Sequence, residues 1–209
     1  MTEKATTKPT RAERKARRPQ EILEAAFEEF IGKGYAATRV EDVAVRLGVT
    51  KGTIYLYFPT KDALFEAMVR YISTPFADVL TSIGTLKGSC SERLRSLLLA
   101  YAKVASDRKM RELLRLALAE GTRFPDIVDR HHDEFIAPLL SAVGALLEQG
   151  VASGEFRQGP AANMPEVIIS SVLHINVWRL LFADRRPIHV AAFIEAHVDL
   201  ALKGLLRRT

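Results

Sequence analysis

Residues 40–57 read Val40-Glu41-Asp42-Val43-Ala44-Val45-Arg46-Leu47-Gly48-Val49-Thr50-Lys51-Gly52-Thr53-Ile54-Tyr55-Leu56-Tyr57. Apolar residues recur at helical spacing on both sides of Gly48, and glycine supplies the positive φ that a helix C-terminus favours. The stretch predicts two short helices, about Arg39 to Leu47 and, capped by Thr50, on through Phe58. Ala44 is small where the two would cross, and Val43, Leu47, Val49 and Ile54 supply a shared apolar contact. That arrangement is a helix-turn-helix. Its outer face carries Thr50, Lys51, Gly52, Thr53, Tyr55 and Tyr57, with no carboxylate between Asp42 and Asp62. Such a surface suits phosphates and base edges, and the N-terminus of the second helix adds partial positive charge.

Working outward, the rest of the chain is also helical in pattern. Pro19 sits where a first helical turn tolerates a missing N–H, and Ile22, Leu23, Ala26, Phe27, Phe30 and Ile31 follow on one face as far as the Gly32-Lys33-Gly34 breaker. Thr38-Arg39-Val40-Glu41 has the form of a capping box. Thr60 is placed to cap a helix that begins at Lys61 and carries Leu64, Phe65, Met68 and Ile72. Ser89 to Glu92 repeats the capping box, another helix runs from Asp107 to Gly121, and Phe124-Pro125 opens a long run to about Ala152 that Pro138 should bend. Gly154, Gly159 and Pro160 mark a loop. Two final helices span roughly Met164 to Ala183 and Pro187 to Arg207, with Asp184-Arg185-Arg186 as the turn between them. Strand alternation is absent over any useful length and no internal repeat is visible, so the expected fold is all-α.

The 209 residues are 48% hydrophobic and 26% charged, enough apolar content for one compact unit or two small ones. The net charge of +5 is concentrated at one end. Residues 1–20 hold Lys4, Lys8, Arg11, Arg14, Lys15, Arg17 and Arg18 against Glu3 and Glu13, and the remainder is neutral. A basic arm on a neutral body points to a polyanion, either nucleic acid or a membrane surface, and the arm has no aromatic or leucine face to insert into lipid. A disordered solubilising tail is the bland alternative. Cys90 is the only cysteine, which excludes a disulfide within one chain and zinc held by thiolates. No apolar leader follows the charged N-terminus, and Val167 to Ala183 is interrupted by His174, Asn176 and Arg179. The expectation is a cytoplasmic protein without a membrane partner.

Gly34-Tyr35-Ala36-Ala37-Thr38-Arg39-Val40-Glu41-Asp42-Val43-Ala44, then Leu47 to Phe58, then Lys61-Asp62-Ala63-Leu64, closely resembles the N-terminal signature of the TetR/AcrR transcriptional regulators. The match covers about residues 20–66, with threonine at position 50 where the family often has serine. Leu113 through Glu120-Gly121-Thr122-Arg123-Phe124-Pro125 is similar, more weakly, to the C-terminal domain of the AefR-like branch. The resemblance implies a basic flexible arm over residues 1–18, a three-helix helix-turn-helix DNA-binding domain over 19–66, and a helical-bundle domain for ligand binding and dimerisation over 67–209. It implies that Thr38 and Arg39 meet a phosphate, and that Thr50, Lys51, Gly52, Thr53 and Tyr55 approach the major groove. Gly52 would permit close backbone approach, while Tyr57 and Lys61 would hold flanking phosphates.

It further implies a homodimer on double-stranded DNA with a palindromic operator, and a small-molecule effector of unknown identity. The last two helices are apolar over a width that one core seam does not need, which suits a subunit interface. Ile175, Leu181, Phe193, Ile194, His197 and Ala201 are the interface candidates. Polar or aromatic groups on apolar helices, namely Tyr101, Arg115, His132, Phe135, His174 and Trp178, are candidates for a pocket that takes a lipophilic molecule, although each is also well explained as a satisfied core group. Adjacent His131 and His132 point in different directions on a helix, so a metal site with Asp133 and Glu134 is disfavoured. Neither a metal nor a cofactor is expected. Two other functions compete. An α-helical enzyme lacks a phosphate loop, a nucleophile in a recognisable setting or spaced metal ligands. A DNA-compacting protein without sequence preference fits the charge but not the tyrosine- and threonine-rich outer face.

Overall fold

The computed structural model describes residues 11–207, and side chains from residue 15 to residue 207. Ten α-helices follow one another among the described residues, and an isolated bridge between Phe156 and Leu206 is the only β pairing. The chain divides into two compact units after Tyr71, within a helix, rather than after Glu66. The first turns of that helix supply Leu64, Phe65 and Met68 to the core of the first unit, so the division falls later than the motif alone suggests.

In the first unit, α1 spans Arg11–Ala37. Residues 11–18 are therefore helical and not part of a flexible arm, because Ala, Arg and Lys are strong helix formers and carry the helix back through Pro19. Lys4 and Lys8 of the expected arm lie outside the described residues. Ile22, Ala26, Phe27 and Phe30 are buried along α1, and Gly34, at φ 77°, breaks the helical path where the glycine pair marked it. Phe30 stacks on Tyr35 with centroids 5.8 Å apart, and Phe65 meets both rings edge-on at 5.0 and 5.1 Å. Helices α2 (Val40–Leu47), α3 (Lys51–Tyr55) and the start of α4 (Lys61–Ile83) close this core with Val43, Ala44 and Ile54. Thr60 caps α4 as expected, its hydroxyl accepting from the Ala63 N–H at 3.0 Å.

The second unit is built on α5 (Cys90–Ala105), α8 (Ala137–Ala152), α9 (Pro165–Phe182) and α10 (Val190–Leu205), which bury Leu94, Leu97, Leu98, Val143, Leu146, Leu147, Val172 and Val198 between them. α6 (Arg108–Glu120) packs on α5 and α9. Ser89 and Glu92 form the expected reciprocal cap, with Ser89 N–H donating to the Glu92 carboxylate at 2.9 Å. α7 (Pro125–His131) runs into α8 through a π-helical turn, His132–Ile136, whose wider loop absorbs the hydrogen bond that Pro138 cannot make. In place of a bend at Pro138 there is this π-helical turn just before it. By length and composition the run Pro125–Ala152 is long and apolar enough to cross a membrane, yet Leu139, Val143, Leu146 and Leu147 are spent in the bundle core. α10 starts at Val190 rather than Pro187, because the His189 ring accepts from the Ala192 N–H at 3.2 Å and caps it.

Candidate nucleic-acid interface

α2 and α3 meet across Gly48, which adopts φ 68° and ψ 36°, and the Val49 N–H donates back to the Ala44 carbonyl at 3.0 Å. The Thr50 hydroxyl accepts from the Thr53 N–H at 3.3 Å and starts α3. Burial of Ile54 fixes the rotation of α3 and turns Thr50, Lys51, Gly52 and Tyr55 outward, with Thr53 and Tyr57 half-buried at the edge. The supporting pair α1 and α2 is locked by Glu29, a buried carboxylate that holds Lys33 at 2.8 Å and Arg46 at 2.6 Å; Lys33 also reaches Asp42 at 3.1 Å. The Lys33 hydrogen bond, opposed by burial and aided by Arg46, holds the Glu29 carboxyl below the usual carboxylate range.

Not every expected contact residue is available. Thr38 is 2% exposed, and its hydroxyl donates to the carbonyls of Glu29 at 3.1 Å and Gly34 at 2.7 Å. It braces the end of α1 and offers no hydroxyl to a phosphate. Arg39, not Thr38, is the N-cap of α2, and its N–H donates to Asp42 at 3.0 Å, so the cap lies one residue later than the expected Thr38–Glu41 box. Glu41, released from that role, pairs instead with Lys51, whose ammonium also stands 5.4 Å from the Tyr55 ring centroid. The Lys61 ammonium lies 4.2 Å from the Tyr35 ring centroid and donates to the Ala36 carbonyl at 3.4 Å. Leu56 was not among the expected contacts. It is 84% exposed, and the signal for it was present, since burial of Ile54 alone forces residues 55 and 56 outward.

Two family models match this chain. "Bacterial regulatory proteins, tetR family" covers residues 22–68, the helix-turn-helix unit, and "Tetracyclin repressor-like, C-terminal domain" covers 86–201, more than half of the chain. The chain belongs to the tetR family. It is a DNA-binding transcriptional regulator and not an enzyme. The "Fatty acid metabolism regulator protein" of Bacillus subtilis is 22% identical over 91% of this chain and 98% of its own length. Among solved structures, the fatty acid degradation regulator FadR from Bacillus halodurans shares the fold at a TM-score of 0.71, with 22% identity over 97% of this chain and 100% of its own. A regulator from Saccharomonospora viridis in complex with choline does so at 0.75, with 22% identity over 92% and 100%.

In the second unit of this TetR-family regulator, the six pocket candidates do not converge. Tyr101 and Phe135 are buried and both pack on Phe76, with centroids 5.8 and 6.4 Å away. Burial pushes the Tyr101 phenol up to about 12. His131 completes this cluster, 6.3 Å from Phe76 and with its Nδ1 3.1 Å from the Ser73 hydroxyl, and burial lowers its pKa. The histidine that packs with the aromatic cluster is thus His131, while His132 is exposed beside Asp133. Arg115 is engaged by Glu112 at 2.8 Å on the surface of α6, and His174 and Trp178 stand on α9 away from Tyr101. An open groove of about 440 Å³ runs between α4, α5 and α6, lined by Ile72, Val79, Ala100, Val104 and Met110 with Lys103 at its rim. Among the described residues no three His, Cys, Asp or Glu side chains are grouped to hold a metal.

The α9–α10 face is apolar and open. Leu173 and Leu181 are more than half exposed, Phe193 stacks on His174 at 5.7 Å, and Trp178 meets Phe182 at 4.9 Å. Two interface candidates do not belong to it. Ile175 and Ile194 are buried in the regulator's own bundle, on the inner sides of α9 and α10. His197, with its Nε2 2.8 Å from the Ile168 carbonyl, and Ala201 are half-buried at the edge of the face.

Proposed function

We propose that this regulator is a homodimeric repressor that reads a palindromic operator through α3 and leaves it when a lipophilic small molecule binds the second unit. Gly52 carries the DNA-reading part. It lies exposed within a five-residue helix, where glycine weakens the helix, and a Cβ built there would meet only the Thr50 hydroxyl at 3.8 Å. Nothing inside the protein requires glycine at this position, so the space serves an external surface that approaches the α3 backbone closely. Arg39, Lys51, Tyr57 and Lys61 would hold phosphates around it, and Thr50, Thr53 and Tyr55 would meet base edges or the sugar-phosphate rim.

The exposed Leu173 and Leu181, flanked by Trp178 and Phe193, support dimerisation through α9 and α10. A dimer places two copies of α3 about 34 Å apart on one face of the duplex, which makes the operator palindromic. The groove beside α4, α5 and α6 and the Tyr101–Phe76–Phe135 cluster are the places for the effector, and the fatty-acid regulators among its relatives support a lipophilic one. Repression acts in the cytoplasm, on chromosomal DNA. Selection of bound fragments from random DNA by the intact protein tests the proposal: recovery of a twofold-symmetric site is expected, and recovery without any symmetric element contradicts it.

A further inference from the structure

At the corner where α5 ends and α6 begins, two arginines from different helices come together without a carboxylate. Arg179 of α9 donates from Nη1 to the Ser106 carbonyl at 2.9 Å. One turn earlier, Asn176, 4% exposed, donates from Nδ2 to the Ala105 and Val172 carbonyls, each at 2.9 Å. These side chains take the last carbonyls of α5, where positive charge is favoured. Arg111 enters from the first turns of α6. Burial, and after it the Arg111 charge, lower the pKa of the Arg179 guanidinium.

Three polar atoms at this corner are left over. Arg111 Nη1, Ser106 Oγ and Asn176 Oδ1 are buried with no hydrogen-bond partner, and neither arginine has an ion-pair partner among the described residues. Buried polar atoms are ordinarily satisfied, and the two half-buried arginines add like charge that no ion pair offsets. A water would satisfy the donors but leave two like charges side by side. An oxyanion answers both needs, since the planar guanidinium fork matches a carboxylate or a phosphate.

We propose that Arg111 and Arg179, with the Ser106 hydroxyl, bind a compact oxyanion, the carboxylate or phosphate group of a small molecule. The Asn176 oxygen adds an acceptor suited to the hydroxyl of a hydrogen phosphate. The occupant does not come from a second subunit. Arg179 shares the α9 side of Ile168, Val172 and Ile175, all buried, and not that of the exposed Leu173 and Leu181. None of these polar residues lines the groove, and the site does not depend on how the regulator reads DNA.

Titration calorimetry on the intact protein in a chloride buffer, with inorganic phosphate in one arm and decanoate in the other, tests the site. Saturable binding of one anion per chain is expected. Phosphate alone identifies a phosphate group, decanoate alone the carboxylate of an amphiphile, and mutual competition a site shared by both. Arg111→Met is expected to weaken that binding at least tenfold, while its melting temperature without added anion stays level or rises, because it removes an orphaned donor and a like charge. Ser106→Ala removes a hydroxyl that makes no bond within the chain, and is expected to weaken binding severalfold even if Arg111→Met does not fold. Absence of saturable binding to either anion overturns the proposal, and so does binding that the folded variants retain unchanged.

Discussion

Lys51, the cation at the start of α3, is paired with Glu41 of α2 and does not stand alone on the outer face. Each raises the charge preference of the other: the Glu41 hydrogen bond raises the Lys51 pKa, and Lys51 lowers that of Glu41. A carboxylate at this position must give up its lysine before the lysine can meet a phosphate.

Glu41→Gln should therefore bind DNA several times more tightly than wild type with no change in melting temperature, since exposed ion pairs contribute little to stability. Lys51→Ala should weaken binding and reduce the slope of log K against log salt by about 1. Fluorescence anisotropy across a salt series reads both effects. Equal affinities for Glu41→Gln and wild type would mean that the pair does not restrain Lys51.

Gly52→Ala separates folding from recognition. The added methyl fits within the chain and improves the helix by about 0.5–1 kcal/mol, so urea midpoints should rise. Affinity for DNA should fall roughly tenfold or more, a loss of about 1.4 kcal/mol or greater. A stabilised variant with undiminished affinity would remove the close-approach role.

Glu29 gives the first unit a pH dependence of known sign. Its pKa is lower folded than unfolded, so its contribution is present above the unfolded carboxylate value of about 4.3 and lost as pH falls through the lower folded value. The melting-temperature advantage of wild type over Glu29→Gln should be largest near neutral pH and shrink as pH falls below the unfolded carboxylate value. An advantage that persists unchanged at pH 3 would assign Glu29 a role that does not need its charge.

Leu181 and Ile175 lie on the same helix and should fail differently. Leu181→Glu leaves the core intact and should sediment as a folded monomer where the wild type is expected to sediment as a dimer. Ile175→Ala opens a cavity in the bundle and should destabilise it by about 2–5 kcal/mol. A dimeric Leu181→Glu would move the interface elsewhere.

Local signals carried far in this sequence. Gly48, Thr50, Thr60, Ser89 and Asp107 each act at a helix end through neighbours within a few residues, and the structure places every one as its pattern indicates. What the pattern does not carry depends on how the chain folds back on itself, within a turn or across the unit. Thr38 reads as a surface cap from its own neighbours, yet the positive-φ break at Gly34 turns its hydroxyl to the carbonyls of Glu29 and Gly34. Ile175 and Ile194 read as surplus apolar surface on their own helices, and only the packing of the second unit's bundle buries them. The Arg111–Arg179 corner joins helices separated by most of the second unit, and no periodicity records such a meeting. Charge arithmetic also overlooked Glu41, whose ten-residue separation from Lys51 hides a contact across the turn.

Binding of the intact protein to the DNA upstream of its own gene, against a scrambled duplex of equal length at about 0.15 M salt, tests the central claim most directly. The account predicts tight binding to the upstream duplex, roughly a thousandfold preference over the scrambled one, loss of that preference in Tyr55→Ala, and weaker binding to both duplexes in Lys51→Ala. Equal affinity for the two duplexes, unchanged by either substitution, would contradict sequence reading through α3.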